Sequence, residues 1–249
     1  MRKESCVTMR IGQAIRTILR FEMSREWFGM AATVVFAVYI GVVLSIESNA
    51  VYAEDGPSRL FGGVLDFLFL FSFPVFGSLL NRSAFQCWRD DLYSKRIAHW
   101  RTMPIPLQAI AGARFLLAAG LMLLAGGCCL TVHFLLSGEL QQRASASEWL
   151  SAGIVWLAYG LIVQSVYTVL ELGYSGKRYV KTCMGAMLLF AAVSALLNAL
   201  GICMYRSVLD GAKALPILLP LLSLAAAAAA VFAGWRTAVR RMRTRTYSF

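Results

Sequence analysis

The amino-acid sequence predicts an all-α, polytopic membrane protein with six transmembrane helices and both termini in the cytoplasm. Three observations predict it. Of 249 residues, 59% are apolar and 15% charged, against roughly 45–50% and 25% in an ordinary soluble domain. The apolar residues lie in long blocks without helical or alternating periodicity, and mean hydropathy is +0.65, so the solvent they face is lipid. The basic residues, finally, are segregated into alternate connections.

A transmembrane helix needs about 20 mostly apolar residues to cross about 30 Å of hydrocarbon. Six segments qualify: Phe28 to Ile46, Leu60 to Leu80, Phe115 to Leu136, Trp149 to Leu170, Thr182 to Tyr205 and Leu215 to Trp235. Together they make a transmembrane domain over residues 28–235, in which Asp66 is the single formal charge within the six segments. Val51 and Ala53 resemble a signal-cleavage site, but 27 residues precede an uninterrupted stretch of 19. A secretory signal has a shorter leader and an apolar core of about 7–15 residues, so the first span is expected to stay attached.

Orientation follows from the positive-inside rule. Residues 1–27 hold six basic side chains, 81–114 six, 171–181 three and the tail after Trp235 five, whereas 47–59, 137–148 and 206–214 hold one, one and two. The first set is placed in the cytoplasm, and the net charge of +11 is accounted for by topology and anionic headgroups without nucleic acid. The external connections are too short to form a domain.

Before the first span, residues 1–27 form a cytoplasmic N-terminus in which Met9 to Trp27 reads as an amphipathic interfacial helix. Ile11, Ala14, Ile15, Ile18 and Leu19 share one arc and Arg16 and Arg20 the other. Glu22 and Arg25 project toward the apolar arc, so a bend or end is expected there. A plain positive anchor is the alternative. Between spans two and three, residues 81–106 are too polar to insert. Phe85, Trp88 and Leu92 recur at i, i+3 and i+7, Tyr93, Ile97 and Trp100 at i, i+4 and i+7, and Asp91 and Lys95 form an i, i+4 pair. These spacings predict a short helix that Pro104 and Pro106 stop. Its aromatic and Arg side chains suit a protein contact or, alternatively, anchoring in headgroups.

The order of a basic amphipathic helix, two spans, a charged and aromatic helix, Met-Pro-Ile-Pro (103–106) and Ala-Gly-Ala-Arg-Phe-Leu (111–116) resembles the permease subunit of type-2 ATP-binding-cassette (ABC) transporters, a six-span class that includes bacterial exporters of antibiotics, polysaccharides and lipids. The resemblance covers nearly the whole chain in architecture. It implies that Phe85 to Arg101 is the coupling helix docking on a separate ATPase, with Phe85, Trp88, Arg89, Asp90, Asp91, Leu92, Tyr93, Arg96, Trp100 and Arg101 at the coupling surface. Arg89, Asp90, Asp91 and Arg96 would contact the ATPase, and Trp88 and Trp100 would pack on the membrane domain. Residues 9–27 would be the connecting helix. It also implies two ATPase copies carrying ATP and Mg, a second permease chain, identical or homologous, around a central path, and residence in the bacterial cytoplasmic membrane. Family members often carry short re-entrant helices between spans five and six, where this chain has only Arg206 to Ala214 and then Pro216 and Pro220.

No Walker A pattern, G-x-x-x-x-G-K-[ST], occurs in the chain, so the backbone cradle for nucleotide phosphates is absent and neither enzymatic activity nor a cofactor is expected on this chain. Within the spans, Asp66 with Gln164 or Asn198 forms a possible substrate path or a set of hydrogen bonds between helices. Arg114, at the opposite end of its span, is too far in depth to pair with Asp66. Gly120, Gly126 and the run Ala225 to Ala230 are read as close helix contacts. Cys6, Cys87 and Cys183 map to the reducing face, Cys128 and Cys129 are adjacent, and His99 and His133 lie apart, so no disulfide or metal site is expected. Gly173-Tyr-Ser-Gly176 matches a serine-protease motif, but Ser175 precedes Lys177, Arg178 and Lys181 in a loop and has no histidine in a later span. A secondary carrier or channel, or an accessory or immunity protein without transport, remains the alternative to a permease moving an amphiphilic cargo.

Overall fold

The computed structural model describes residues 11–52, 58–79, 92–101 and 105–244, with backbone alone for 58–60, 92–94, 96 and 101. Among the described residues there are ten helices and no strand. They are α1 (Ile11–Arg25), α2 (Trp27–Tyr52), α3 (Ser58–Phe76), α4 (Leu92–Arg101), α5 (Leu107–Leu136), α6 (Gly138–Arg143), α7 (Ala146–Gly173), α8 (Gly176–Ala199), α9 (Met204–Ala214) and α10 (Leu218–Thr244).

Among the described residues, five helices, α2, α5, α7, α8 and α10, are long and apolar enough to cross a membrane. The chain therefore has the character of a membrane protein, with one qualifying helix fewer than the six expected. The second expected span corresponds to α3, of which the described side chains give a shorter apolar stretch, Phe61–Phe76. Pro74 lies within its last turn, and the helix ends at Phe76. At 1.5 Å per residue, its 19 residues rise about 28 Å.

The amphipathic reading of the N-terminal segment matches α1, which buries Ala14, Ile18 and Glu22. The helix stops at Arg25 and the chain bends at Glu26, yet Met30 N still donates to Glu26 O at 3.0 Å, so α2 follows with almost no linker.

The fifth and sixth expected spans are displaced. The stretch assigned to Thr182 to Tyr205 is helical over Gly176–Ala199 and breaks at Gly201, whose φ of 76° is a left-handed conformation suited to glycine. Residues 206–214, read as a short external loop, belong instead to α9. Tyr205, Leu209 and Ala212 are buried there at i, i+4 and i+7, one stripe of an amphipathic helix. Similarly α6 occupies much of the loop expected over 137–148. The basic tail expected from residue 236 continues α10 as far as Thr244, with Ala238, Val239 and Met242 buried.

Helix α7 is central, touching α3, α4, α5, α8, α9 and α10. Its start is fixed by a capping box. Ser145 N donates to Glu148 Oε2 at 2.8 Å, and Glu148 N donates to Ser145 Oγ at 3.4 Å, satisfying two amides that helix geometry leaves open. The bundle core is aromatic: Phe69 and Phe73 of α3 pack in tilted contact with Trp156 of α7, and Phe69 likewise with Tyr205 of α9. His133 of α5 lies in this cage, its Nε2 3.1 Å from Tyr205 Oη. By contrast α8 and α10 leave large apolar side chains uncovered, among them Leu188, Leu189, Leu196, Leu221, Leu222 and Phe232, as helices facing lipid or another apolar surface do.

Close approach governs the packing of α2 on α5. A Cβ added at Gly41 would lie 2.8 Å from the backbone oxygen of Cys129, so only glycine fits. Of the small residues singled out in the sequence, a Cβ added at Gly126 would meet Leu157 at 2.6 Å, while one added at Gly120 would meet nothing within 4 Å. In the alanine run only Ala227 is buried, so that run packs on few atoms of its own chain.

Candidate functional site

The sequence directs attention to one end of the bundle, where α1, α4, the start of α5, the α7–α8 corner and the end of α10 converge. Apolar burial holds this end together. Ile18 of α1, Ile97 and Trp100 of α4, Ile110, Ala113 and Phe115 of α5, Leu172 of α7 and Val239 and Met242 of α10 form one cluster. Ile97 and Trp100 are 2% and 9% exposed, so α4 is seated on the bundle by one face. The spacing of three places both on one side of a helix. Lys95 and His99 are exposed on the remaining surface.

A buried ion triad reinforces the same end. Arg114 of α5 donates through Nη1 to Glu22 Oε2 of α1 at 3.0 Å and through Nη2 to Glu171 Oε1 of α7. Glu22 is fully buried and the other two side chains nearly so. Where charges are withdrawn from water, paired geometry decides whether they are tolerated, and the planar guanidinium serves two carboxylates at once. Beside it the end of α10 lies on the α7–α8 corner. Arg241 sits 5.3 Å over the Tyr174 ring and its Cβ is 3.2 Å from where a Cβ at Gly173 would be. Pro106 supplies the N-cap position of α5.

The residues expected at the coupling surface divide into those described and those not. Phe85, Trp88, Arg89, Asp90, Asp91 and Pro104 lie outside the described residues, so the Asp91–Lys95 pair is outside them as well. Leu92, Tyr93, Arg96 and Arg101 lie on α4, whose described extent begins at Leu92.

The three polar residues read as a substrate path occupy separate places. Asp66 is buried, and it accepts from the backbone amides of Met204 at 2.7 Å and Tyr205 at 2.8 Å, with Cys203 Sγ at 3.7 Å. It therefore caps α9, engaging its first amides and its positive end, and it makes no hydrogen bond with Gln164 or Asn198 among the described residues. Gln164 donates to Gly77 O at 3.1 Å and accepts from Ser78 Oγ at 3.4 Å, holding the chain as it leaves α3. Asn198 lies against Gly63, 3.1 Å from where a Cβ would be. Sequence reading missed Glu22 and Glu171 as partners of Arg114, because each lies outside a span and far from Arg114 in sequence.

Comparison of the chain with protein-family models, with curated proteins and with solved structures finds no match.

Proposed function

We propose that this chain is the membrane subunit of a type-2 ATP-binding-cassette transporter, moving an amphiphilic substrate such as a peptide antibiotic or lipid, in the export direction, with energy from a separate ATPase. One observation carries the reading: α4 is a short polar helix whose Ile97 and Trp100 are sunk into the cluster shared by α1, α5, α7 and α10. A helix attached in this way passes a displacement to four others, because packed interfaces switch between arrangements and do not yield continuously. The Arg114 triad supports the same role by binding α1 and α7 to α5 at that depth.

On this reading ATP binding draws two ATPase subunits together, α4 and the preceding residues 85–91 take up the motion, and the bundle alternates between inward-facing and outward-facing states. The uncovered apolar faces of α8 and α10 leave room for lipid and for a second permease chain. The chain has no nucleotide cradle of its own, so the motor is a partner with ATP and Mg.

The test is purification of the tagged full chain from its native membrane in mild detergent, with ATP hydrolysis measured on the eluate. The reading predicts a stoichiometric Walker-A-containing subunit and vanadate-sensitive hydrolysis. A chain that elutes alone from membranes shown to contain such an ATPase would favour the carrier reading.

A further inference from the structure

The end of the bundle opposite α4 holds a feature that the transporter reading does not use. In the segments poor in basic residues only four occur, Arg59, Arg143, Arg206 and Lys213. Three of these, contributed by α6 and α9, line a single cleft of about 460 Å³ together with Val51, Tyr52, Leu209 and Asp210. The guanidinium carbons of Arg143 and Arg206 stand 4.5 and 4.9 Å from the centre of the Tyr52 ring. Like charges gathered on one ring repel unless something negative joins them.

The carboxylates among the described residues do not fully serve. Asp210 is 4.0 Å from Lys213 and its side chain is 75% exposed, and Glu139 is 3.8 Å from Arg143, both loose surface pairs of small worth. Glu148 is engaged by the Ser145 cap. Arg206 has no carboxylate partner within salt-bridge distance among the described residues; its Nη2 donates to Val51 O, and its Nε is buried without a hydrogen-bond partner. A buried donor without an acceptor is costly, and Arg206 is one of the residues lining the cleft.

We infer that this cleft binds the phosphoryl group of an anionic ligand, Arg206 and Arg143 supplying forked donors, Lys213 a point charge and Tyr52 the floor. The position suits a lipid headgroup, since Tyr52 is the last residue of α2 and Tyr and Arg at a helix end lie at headgroup depth. A phosphorylated solute offers the same chemistry. The inference stands whether or not an ATPase drives the chain.

The purified full chain in phosphatidylcholine-containing micelles is titrated with dioleoylphosphatidylglycerol and, separately, with inorganic phosphate, reading the thermal midpoint. Wild type is expected to be stabilised by the anionic lipid, by an amount that salt weakens. In the Arg143→Gln, Lys213→Gln double variant, which leaves the Arg206 bond to Val51 intact, the half-saturating concentration should rise about tenfold, the equivalent of one charge-assisted hydrogen bond. Arg206→Gln should raise it at least as far. A response to lipid alone identifies a headgroup site, and a response to phosphate as well identifies a site open to solutes. No response to either probe, equal responses to phosphatidylglycerol and further phosphatidylcholine, or equal half-saturation in the double variant and wild type would overturn the inference.

Discussion

Arg114 of α5 reaches Glu22 of α1, its Nη1 3.0 Å from a carboxylate oxygen that is completely buried. The same guanidinium also serves Glu171 of α7, so a single side chain joins three helices at the end of the bundle where α4 is seated.

Removing that side chain leaves two buried carboxylates without their shared counter-ion. Breaking one side of a buried pair costs about 3–5 kcal/mol, so Arg114→Ala should lower the thermal midpoint of the detergent-purified protein by many degrees. Arg114→Lys should do less, because an ammonium keeps the charge but lacks the fork. Equal midpoints for wild type and Arg114→Ala would refute the triad's structural role.

Asp66 holds the start of α9 through two backbone amides. Loss of a helix cap costs about 0.5–2 kcal/mol, enough to loosen α9 locally without unfolding the bundle. In Asp66→Ala, maleimide should therefore modify Cys203 faster, read by mass spectrometry on the peptide containing that residue. Asp66→Asn, which keeps one acceptor oxygen, should fall between. An unaltered rate in Asp66→Ala would show that the cap does not restrain α9.

Two glycines at helix contacts should respond differently to the same methyl group. At Gly41 a Cβ would meet the backbone oxygen of Cys129 at 2.8 Å, whereas at Gly160 it would meet the mobile end of Met122. A backbone cannot step aside, and overpacking costs about 1–3 kcal/mol. Gly41→Ala should thus lower the thermal midpoint more than Gly160→Ala, with Gly120→Ala, facing open space, changing it least. The reverse order would contradict the packing of α2 on α5.

If the proposed ATPase docks on the chain around α4, charge reversal ahead of α4 should release it. In Asp90→Lys with Asp91→Lys, the chain is expected to reach the membrane at the wild-type level while the ATPase retained on purification falls about tenfold, as loss of complementary charges does at an interface. Undiminished retention would remove these carboxylates from the contact.

The long apolar helices were legible in the sequence because lipid exposure demands unbroken apolar runs. The arc of Ala14 and Ile18 was also legible, down to Glu22 falling on the same side. What that side touched was not: Arg114 lies 92 residues from Glu22 and 57 from Glu171, and spacing within one helix carries no information across helices. Asp66 misled for a related reason. Its partners are backbone amides at Met204 and Tyr205, which no side-chain pattern marks, so attention passed to Gln164 and Asn198. Helix α9 escaped because its stripe of Tyr205, Leu209 and Ala212 spans only two turns in a segment of mixed polarity. The Ser145 to Glu148 capping box is a sequence signal for the start of α7.

The proposed docking of the chain around α4 on an ATPase is open to crosslinking. A photoreactive amino acid is placed at position 91 and, as a control, at position 143 on the opposite end, and cells are irradiated before the adducts are identified. The account predicts an adduct between position 91 and a nucleotide-hydrolysing subunit and none from position 143. Adducts to that subunit from position 143 alone, or from neither position in cells that express it, would contradict the account.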